Sequence, residues 1–322
     1  GFCETENSRL LAVSSLNISK LEYFKKRFEI NNNYIFKNYN ELLACEQIDV
    51  VYIALPNNLH FEWIAKGIKN NKNILVEKPA FIKLEQADII KNEIHKKELF
   101  FAEGYMYRYN PQIIKIIQIL KNQELGKIVS MESGFCKNIL TKKKFLFFEK
   151  RKKIDINNRL FNKNLGGGCI LDLGCYPVSF SVLIASIVGG INYKKFKLKN
   201  IERENYFTDV DIDAGVEICF DNTFTSKVKS SFKKALGSTT KINCEKGDLL
   251  IENTWTGQTK IIKNKDGVQE IITNQIEKNI FSYEIENISR DIFEGKNKPS
   301  FPGVSIEETK INTEILEGWL NG

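Results

Sequence analysis

The stretch that most constrains this chain runs from Asp49 to Pro79 and has the pattern of two buried strands joined by a helix. Residues 50–55 form an unbroken apolar run, which is typical of a parallel strand covered on both faces. Pro56 lacks the N–H that a strand ladder needs, so it ends the run. Apolar residues then recur at helical spacing over 61–68, and 74–76 form the second strand.

The two predicted strands end in polar residues at the same place in the fold. Parallel strands joined by a right-handed crossover send their carboxyl ends to one edge of the sheet. Open α/β sheets bind their ligands at that edge. We therefore expect Pro56 and Asn57 to lie near Glu77, Lys78 and Pro79 at a ligand-binding edge.

The rest of the first hundred residues continues the alternation of strand and helix. Strands are predicted at 10–15, 35–36 and 99–103, and helices at 18–28 and 84–97. This order indicates a parallel sheet with helices on both faces.

One element of a dinucleotide-binding domain is missing from this pattern. Such a domain opens with a strand, a Gly-x-Gly-x-x-Gly turn that carries the pyrophosphate, and a helix. Only nine residues precede Leu10, and Gly1 is the only glycine among the first 60 residues. Either the chain is truncated or the domain is degenerate, and we favour truncation because the rest of the unit is intact. The chain opens on Gly1 rather than Met, so a leader could have preceded it.

After Glu103 the pattern changes. Strands with turn signals between them alternate over 196–277, which predicts an open antiparallel sheet, and helices are predicted at 110–122, 282–294 and 305–320. In the last helix, Ser305 and Glu308 have the spacing of a capping box. The predicted fold is an α/β Rossmann-like parallel sheet, N-terminally truncated, followed by an α+β domain with an open, mainly antiparallel sheet.

Composition narrows the class of protein. The chain has 322 residues, of which 42% are hydrophobic, enough for two domains. No stretch approaches the roughly 20 apolar residues of a membrane span. The seven cysteines contain no Cys-x-x-Cys, which favours a reducing, cytoplasmic compartment over a disulfide framework or a zinc site. With two histidines in the chain, no metal site is expected.

The net charge of +7 comes mainly from lysines spread over the helices, so we interpret it as solvated surface rather than a nucleic-acid-binding face. The basic segment 141–164 admits three interpretations. The segment is a solvent-exposed loop, a lid or subunit contact, or a nucleic-acid-binding segment. No aromatic stacking motif supports the last interpretation.

Three residues carry the chemistry. Asp172 and Tyr176 are four apart beyond a glycine triplet, so a helical turn would place them on one face. Taken singly, Asp172 could be a cap, Tyr176 an interface aromatic and Lys78 an exposed strand end. If Lys78 and Tyr176 are neighbours, the lysine ammonium lowers the pKa of the tyrosine hydroxyl, and Asp172 can hold the ammonium in place. That set suits oxidation of an alcohol or reduction of a ketone, with a nicotinamide carrying the hydride.

Four stretches, 50–79, 102–112, 158–179 and 305–320, resemble the Gfo/Idh/MocA oxidoreductase family. Within it they are most similar to the glucose–fructose oxidoreductase and dimeric dihydrodiol dehydrogenase branch. The branch assignment rests on Tyr176, because many members of the family have His at that position.

The resemblance implies roles for individual residues. Lys78 would be the catalytic lysine, Tyr176 the proton donor or acceptor, and Asp172 the group that orients the substrate hydroxyl and the Lys78 ammonium. Arg159 falls in a motif next to the site, and the peptide between Lys78 and Pro79 is expected to be cis. The residues expected to contact the cofactor are Ser15, Asn17, Leu55, Pro56, Asn57, His60, Glu77, Lys78 and Arg108.

The resemblance also implies a domain plan and a function. Residues 1–104 would form an NAD(P)-binding Rossmann-like domain without its first strand and glycine loop, and 105–322 a domain for substrate and oligomerisation. The expected activity is hydride transfer to or from a secondary hydroxyl or ketone of a sugar, sugar derivative or related diol, with NAD or NADP. The alternative is a non-catalytic or truncated sugar- or nucleotide-binding member of the same fold. A homodimer or homotetramer is expected, with no nucleic-acid or membrane partner.

Overall fold

The computed structural model describes residues 1–145, 148–258, 260–273 and 275–322. The helices are α1 (Ile18–Phe28), α2 (Tyr39–Ala44), α3 (Asn57–Lys69), α4 (Leu84–Lys97), α5 (Pro111–Lys121), α6 (Cys175–Ile187), α7 (Ile280–Phe293) and α8 (Ile306–Asn321). The strands are β1 (Val13–Ser14), β2 (Ile35–Phe36), β3 (Val50–Ile53), β4 (Asn73–Glu77), β5 (Phe101–Gly104), β6 (Ile128–Cys136), β7 (Thr141–Phe145), β8 (Phe148–Arg151), β9 (Phe196–Asn205), β10 (Asp211–Phe220), β11 (Phe224–Ser231), β12 (Thr240–Cys244), β13 (Gly247–Glu252), β14 (Lys260–Lys265) and β15 (Val268–Ile272).

The first part of the chain alternates strand and helix as predicted, but its parallel strands form two sheets rather than one. Strands β1 and β2 pair with each other, and β3, β4 and β5 form a second parallel sheet. The predicted Rossmann-like parallel arrangement is confirmed, with its described strands divided between these two sheets. Strand β1 covers Val13–Ser14 instead of the predicted 10–15, because only one of its edges has a strand partner.

Helices cover both faces of the sheet formed by β3, β4 and β5. On one face, Ile74 of β4 packs in a cluster with Ile64 of α3 and Ile90 of α4. On the other face, Leu75 of β4 packs in a cluster with Ile288 of α7. Helix α7 comes late in the chain, so the C-terminal part returns to cover the sheet of β3, β4 and β5.

A larger sheet in the later part of the chain has eight strands in the order β15-β14-β13-β12-β6-β11-β10-β9. All neighbours are antiparallel except β6 and β11, which confirms the predicted open, mainly antiparallel sheet. Its core includes Phe180 of α6 and Trp319 of α8, both fully buried.

One described helical segment, Lys163–Ile187, is long and apolar enough to cross a membrane, with a mean hydropathy of 1.7 over an 18-residue window. The expectation that no stretch has this composition is therefore wrong. In the fold, 83% of that window is buried inside the protein, which is typical of a core helix.

Helix ends follow the sequence signals in part. Pro111 lies in the first turn of α5, where its fixed φ suits the helix. The Asn110 side chain caps the same helix. Ser305 makes no capping hydrogen bond at the start of α8, so the predicted capping box is wrong. Its partner Glu308 forms an ion pair with the buried Arg108 instead.

The basic segment 141–164 begins as a hairpin of β7 and β8 and continues through two short 3-10 turns, Arg159–Phe161 and Lys163–Leu165. Leu146 and Phe147 in this segment lie outside the described residues. The strand expected to start at Thr259 starts at Lys260, and Thr259 also lies outside the described residues.

Candidate active site

Lys78 follows β4 at the carboxyl edge of the sheet and reaches a residue of the second half of the chain. Its Nζ donates a hydrogen bond of 2.7 Å to the backbone carbonyl of Asp172 and lies 3.8 Å from the Asp172 carboxylate. The two side chains are only 13% and 15% exposed. The ammonium is therefore largely desolvated and held by two oxygens of one residue.

Tyr176 lies beside this pair at the start of α6. The Lys78 Nζ is 4.6 Å from the centre of the Tyr176 ring, within the range of a cation–π contact. The Tyr176 hydroxyl points to the sulfur of Met106 at 3.8 Å. The predicted neighbours Lys78, Asp172 and Tyr176 thus come together, with the ammonium over the ring of the tyrosine.

The surroundings of Tyr176, burial above all, favour its protonated form. Burial raises the pKa of Tyr176 above its ordinary value, and the positive charge of Lys78 opposes this only in part. The expectation that Lys78 lowers the pKa of Tyr176 is right for that one interaction and wrong for the net effect. Burial disfavours the charged form of Lys78, yet the acidic groups around it raise the pKa of the ammonium overall. A protonated tyrosine therefore faces a charged lysine.

Asp172 is positioned by an unusual turn. Ile170–Gly174 form a π-helical turn, a feature frequent at functional sites. The Asp211 carboxylate accepts the Ile170 N–H at 2.6 Å, and Gly168, with φ of 111°, leaves the space that Asp211 occupies. The Asp172 carboxylate also accepts a hydrogen bond of 3.0 Å from Arg159. It therefore holds two cations, one buried and one half exposed.

Four aromatic rings, here called the aromatic wall, enclose Tyr176, and no local sequence pattern indicated that they would meet there. Its members come from separate parts of the chain, with ring centres 5.4 to 5.9 Å from that of Tyr176: Tyr105, Tyr107, Phe135 and Trp255. These contacts make the phenol rigid and keep most of its surface from water.

A groove of about 1360 Å³ runs between β1 and β3. Four of the predicted cofactor residues line it: Ser15, Asn17, Leu55 and Pro56. The Asn17 side chain already caps α1 through the Lys20 N–H at 3.1 Å, and Ser15 Oγ accepts the Asn17 N–H at 3.1 Å. The groove fits a nucleotide's ribose and base in size, but the described residues between β1 and β3 supply no glycine turn for a pyrophosphate.

His60 joins the groove to Lys78. Its two ring nitrogens face the carbonyl of Leu55 at 2.8 Å and that of Pro79 at 2.9 Å, so it holds the ends of β3 and β4 together. Burial lowers the pKa of His60. The ring is fully buried, which places His60 behind the groove surface rather than on it. The Lys78–Pro79 peptide is cis, as predicted.

Asn57 and Glu77 occupy the same edge. The Asn57 side chain donates 3.0 Å to the carbonyl of Gly166, which ties the start of α3 to the glycine triplet. Glu77 accepts a hydrogen bond from the Tyr52 hydroxyl. Asn57 therefore supports the approach of the two halves of the chain, whereas Glu77 links β4 to β3 within the first half.

Arg108 does not reach the groove. It is fully buried, and its guanidinium donates to the Tyr107 hydroxyl at 3.0 Å, to the carbonyl of Pro302 at 3.1 Å and to that of Ser179 at 2.6 Å. It also pairs with Glu308. These partners engage its donor groups in the interior, so the structure does not bring Arg108 to the groove, and its contact with the cofactor stays a prediction.

Glu103 is a buried carboxyl that the sequence did not single out. It accepts hydrogen bonds of 2.9 Å from the Ala80 N–H and from the Thr309 hydroxyl. Burial raises the pKa of Glu103 to about 7. Because Ala80 follows Pro79, this carboxyl supports the turn that carries Lys78. In the sequence, only the position of Glu103 within an apolar strand indicated that this carboxyl is buried.

Comparisons with known proteins agree with this architecture. Residues 2–105 match a family described as "Oxidoreductase family, NAD-binding Rossmann fold", and residues 113–250 match the GFO/IDH/MocA C-terminal domain. The aldose–aldose oxidoreductase of Caulobacter crescentus has a similar fold, with a TM-score of 0.84 and 19% identity over 99% of this chain and 91% of that one.

Two curated relatives differ in how much of their length is matched. The trans-1,2-dihydrobenzene-1,2-diol dehydrogenase of Xenopus laevis is 22% identical over 96% of this chain and 88% of its own length. The D-xylose 1-dehydrogenase (NADP(+)) of Hypocrea jecorina is 30% identical over 53% of this chain and 43% of its own. Several relatives are thus matched over only about half of their length.

Proposed function

Because this chain belongs to the Gfo/Idh/MocA oxidoreductase family, we propose that it is an NAD(P)-dependent oxidoreductase acting on a secondary hydroxyl or ketone of a sugar, sugar derivative or related diol. The observation that carries the proposal is the contact of Lys78 with Asp172 and Tyr176 across the two halves of the chain. The names of the relatives, a diol dehydrogenase and a xylose dehydrogenase, support this class of substrate.

Tyr176 is the general acid and base of this proposal. Its hydroxyl is protonated in the site, so it donates a proton to the substrate oxygen as the carbonyl becomes an alcohol, and it takes the proton back in the oxidation direction. The Lys78 ammonium stabilises negative charge on the phenol and on the substrate oxygen. A bound nicotinamide supplies or accepts the hydride.

Asp172 and the aromatic wall set the geometry for this step. The Asp172 carboxylate holds Lys78 in place and can accept a hydrogen bond from a second substrate hydroxyl, which suits a polyol. Arg159, about half exposed, fixes the other side of that carboxylate. Tyr107 and Trp255 keep the Tyr176 ring from rotating away from the substrate.

Either NAD or NADP fits the proposal. Ser15 and Asn17 line the groove beyond the end of β1, which supports a role in binding the adenosine ribose of a Rossmann cofactor. No arginine stands at positions 15–17 to pair with a 2′-phosphate. Leu55 and Pro56 would contact the nicotinamide side, with Lys78 on its ribose.

A second candidate is a non-catalytic sugar- or nucleotide-binding protein on the same scaffold. The feature that favours it is that the described residues between β1 and β3 form no glycine turn for a pyrophosphate. Titration calorimetry with NAD and NADP, together with turnover of D-xylose, D-glucose and a trans-dihydrodiol, separates the two candidates. Nucleotide binding without turnover of any substrate would favour the second.

We also propose a homodimer or homotetramer formed through the second face of the eight-stranded sheet. That face carries cross-strand ion pairs such as Lys227 with Glu217, 3.6 Å apart. Sedimentation velocity measures the state directly, and a monomer at micromolar concentration would contradict it. The seven free cysteines support a reducing, cytoplasmic location.

A further inference from the structure

Helix α8 begins against the end of β5, and two hydrogen bonds join them. The backbone N–H of Glu103, in β5, donates to the carbonyl of Val304 at 3.1 Å, two residues before the helix. In the first turn of α8, the Thr309 hydroxyl donates to Glu103 Oε2 at 2.9 Å. Both side chains are buried, so water does not compete for this contact. The start of α8 therefore fixes where the Glu103 carboxyl lies.

Glu103 in turn holds the backbone that follows Lys78. Its second carboxyl oxygen, Oε1, accepts a hydrogen bond of 2.9 Å from the N–H of Ala80, two residues after Lys78. Ala80 is fully buried, so its N–H would lose this partner in the interior if the carboxyl moved away. The hydroxyl of Thr309 therefore supports the turn that carries Lys78, with Glu103 as the link between them.

The preceding residue of α8 holds the helix that carries Tyr176. Glu308 forms an ion pair with Arg108, whose side chain is fully buried. Nη2 of Arg108 donates to the Ser179 carbonyl at 2.6 Å and to the Ser179 hydroxyl at 2.7 Å. Ser179 lies in α6 three residues after Tyr176, so this contact fixes the turn of α6 that bears the phenol. A buried cation needs its counter-charge, so this grip depends on Glu308.

Two adjacent residues of one helix thus hold the supports of both catalytic candidates. The hydrogen bonds of an α-helix fix the spacing of neighbouring residues, so Glu308 and Thr309 move together. The distance that they control is the 4.6 Å between the Lys78 Nζ and the centre of the Tyr176 ring. A displacement of about 1 Å in a catalytic group can cost about 100-fold in rate, so this shared support has a chemical consequence.

We propose that Glu308 and Thr309 are positioning residues, which align the Lys78 ammonium with the Tyr176 ring from the first turn of α8. Each acts through one buried neighbour and not by touching the reacting groups. The expected effect on turnover rests on the proposed function, whereas the alignment is a property of the folded chain. The two are therefore measured separately.

The first experiment reads the alignment without turnover. In a chain labelled with carbon-13 at lysine Cε, the Lys78 methylene should be shifted upfield by the ring current, because Nζ lies over the face of the Tyr176 ring. The signal is assigned by its absence from Lys78→Met. Thr309→Val keeps the shape of the side chain and removes the hydroxyl, so the signal should move toward that of a lysine without an aromatic neighbour. Thr309→Ser keeps the hydroxyl and should leave the signal in place.

Turnover then separates this inference from the proposed function. Thr309→Val should lower kcat about tenfold and leave the Kd of the nucleotide within about twofold, because Thr309 supports the lysine and not the groove. Thr309→Ser should keep the kcat of the unaltered enzyme. A Lys78 signal that moves as expected in a chain that turns over no substrate would support the alignment and count against the proposed function.

Glu308→Gln tests the support of Tyr176. Glutamine keeps nearly the same volume but removes the charge that pairs with the buried Arg108, so α6 should shift and the Lys78 signal should move. Glu307→Gln is the matched control, because Glu307 is the adjacent residue and pairs with the exposed His95 at 2.7 Å. Its Lys78 signal should stay in place. An unmoved signal in Glu308→Gln would overturn the role assigned to Glu308.

Thr313→Val is the matched control for Thr309→Val. Thr313 is also buried in α8, but its hydroxyl donates to the Thr309 carbonyl of the same helix at 2.8 Å. An unmoved Lys78 signal in Thr309→Val, or an equal movement in Thr309→Ser or Thr313→Val, would overturn the proposal. If Thr309→Val does not fold, Thr309→Ala decides, since alanine favours the helix and also lacks the hydroxyl. Failure of both to fold would also overturn it, because the hydroxyl would then serve the whole fold.

Discussion

The Lys78 ammonium lies 4.6 Å from the centre of the Tyr176 ring and 2.7 Å from the carbonyl oxygen of Asp172. Lys78 directly follows β4 of the three-stranded parallel sheet, and Tyr176 lies in the first turn of α6. The contact therefore makes the candidate site depend on how the two halves of the chain meet.

Lys78→Met should lower kcat by about 100-fold or more, because the phenol and the substrate oxygen lose their positive neighbour. The side chain is largely buried, and methionine preserves most of its volume. Steady-state turnover with the best nucleotide measures the effect. Lys83→Met, at an exposed position just before α4, is the control and should keep full activity. An active Lys78→Met enzyme would remove Lys78 from the proposed mechanism.

Gly168→Ala should destabilise the protein by about 2–4 kcal/mol, because the site demands both positive φ and empty space. An added Cβ at Gly168 would lie 2.3 Å from Asp211 Oδ1, and φ there is 111°. Urea unfolding measures the change. Gly189→Ala is the control, since a Cβ at Gly189 meets nothing within 4 Å, and it should change stability little. Equal stabilities would show that the π-helical turn does not need this glycine.

Glu103→Gln should remove a pH dependence of stability. Burial raises the pKa of Glu103 from 4.5 to about 7, so the folded state binds a proton that the unfolded state has released. The stability is then full below pH 4.5 and falls as the pH rises to about 7, by about 3 kcal/mol. Denaturant midpoints at pH 5 and pH 8 should differ less in Glu103→Gln than in the unaltered protein. An identical pH dependence would contradict this assignment.

Arg108→Met should destabilise the fold by about 3–5 kcal/mol, because Glu308 and two backbone carbonyls lose their partner in the interior. Nucleotide affinity of the folded variant should stay within about twofold, since the guanidinium does not reach the groove. Calorimetry at low temperature tests the second statement. Arg290→Met, on the exposed side of α7, is the stability control. A large loss of nucleotide affinity would restore the cofactor contact expected from the sequence.

Local sequence patterns were sufficient to predict the helices and strands that depend on residues close together in the chain. The apolar run before Pro56 and the helix after it follow from periodicity, and Pro111 at the start of α5 follows from its fixed φ. The nearness of Lys78 to Tyr176 came from the family resemblance, and the structure agrees with it. These features need little knowledge of distant contacts.

The remaining features are set by long-range packing, which one sequence does not encode locally. Phe135 and Trp255 are far apart in the chain, and they meet at Tyr176 only after the eight-stranded sheet forms. Glu308 has the spacing of a capping box, but the buried Arg108 attracts it more strongly than an exposed backbone N–H does. The division of the parallel strands into two sheets likewise depends on pairing between distant segments and not on local pattern.

The most direct test of the account is the turnover of Tyr176→Phe, measured with NAD and with NADP on D-xylose, D-glucose and a trans-dihydrodiol. The account predicts a loss in kcat of about 100- to 10,000-fold with nucleotide affinity unchanged, while Tyr34→Phe behaves like the unaltered chain. Turnover by Tyr176→Phe equal to that of the unaltered enzyme would contradict the assignment of the proton to this phenol.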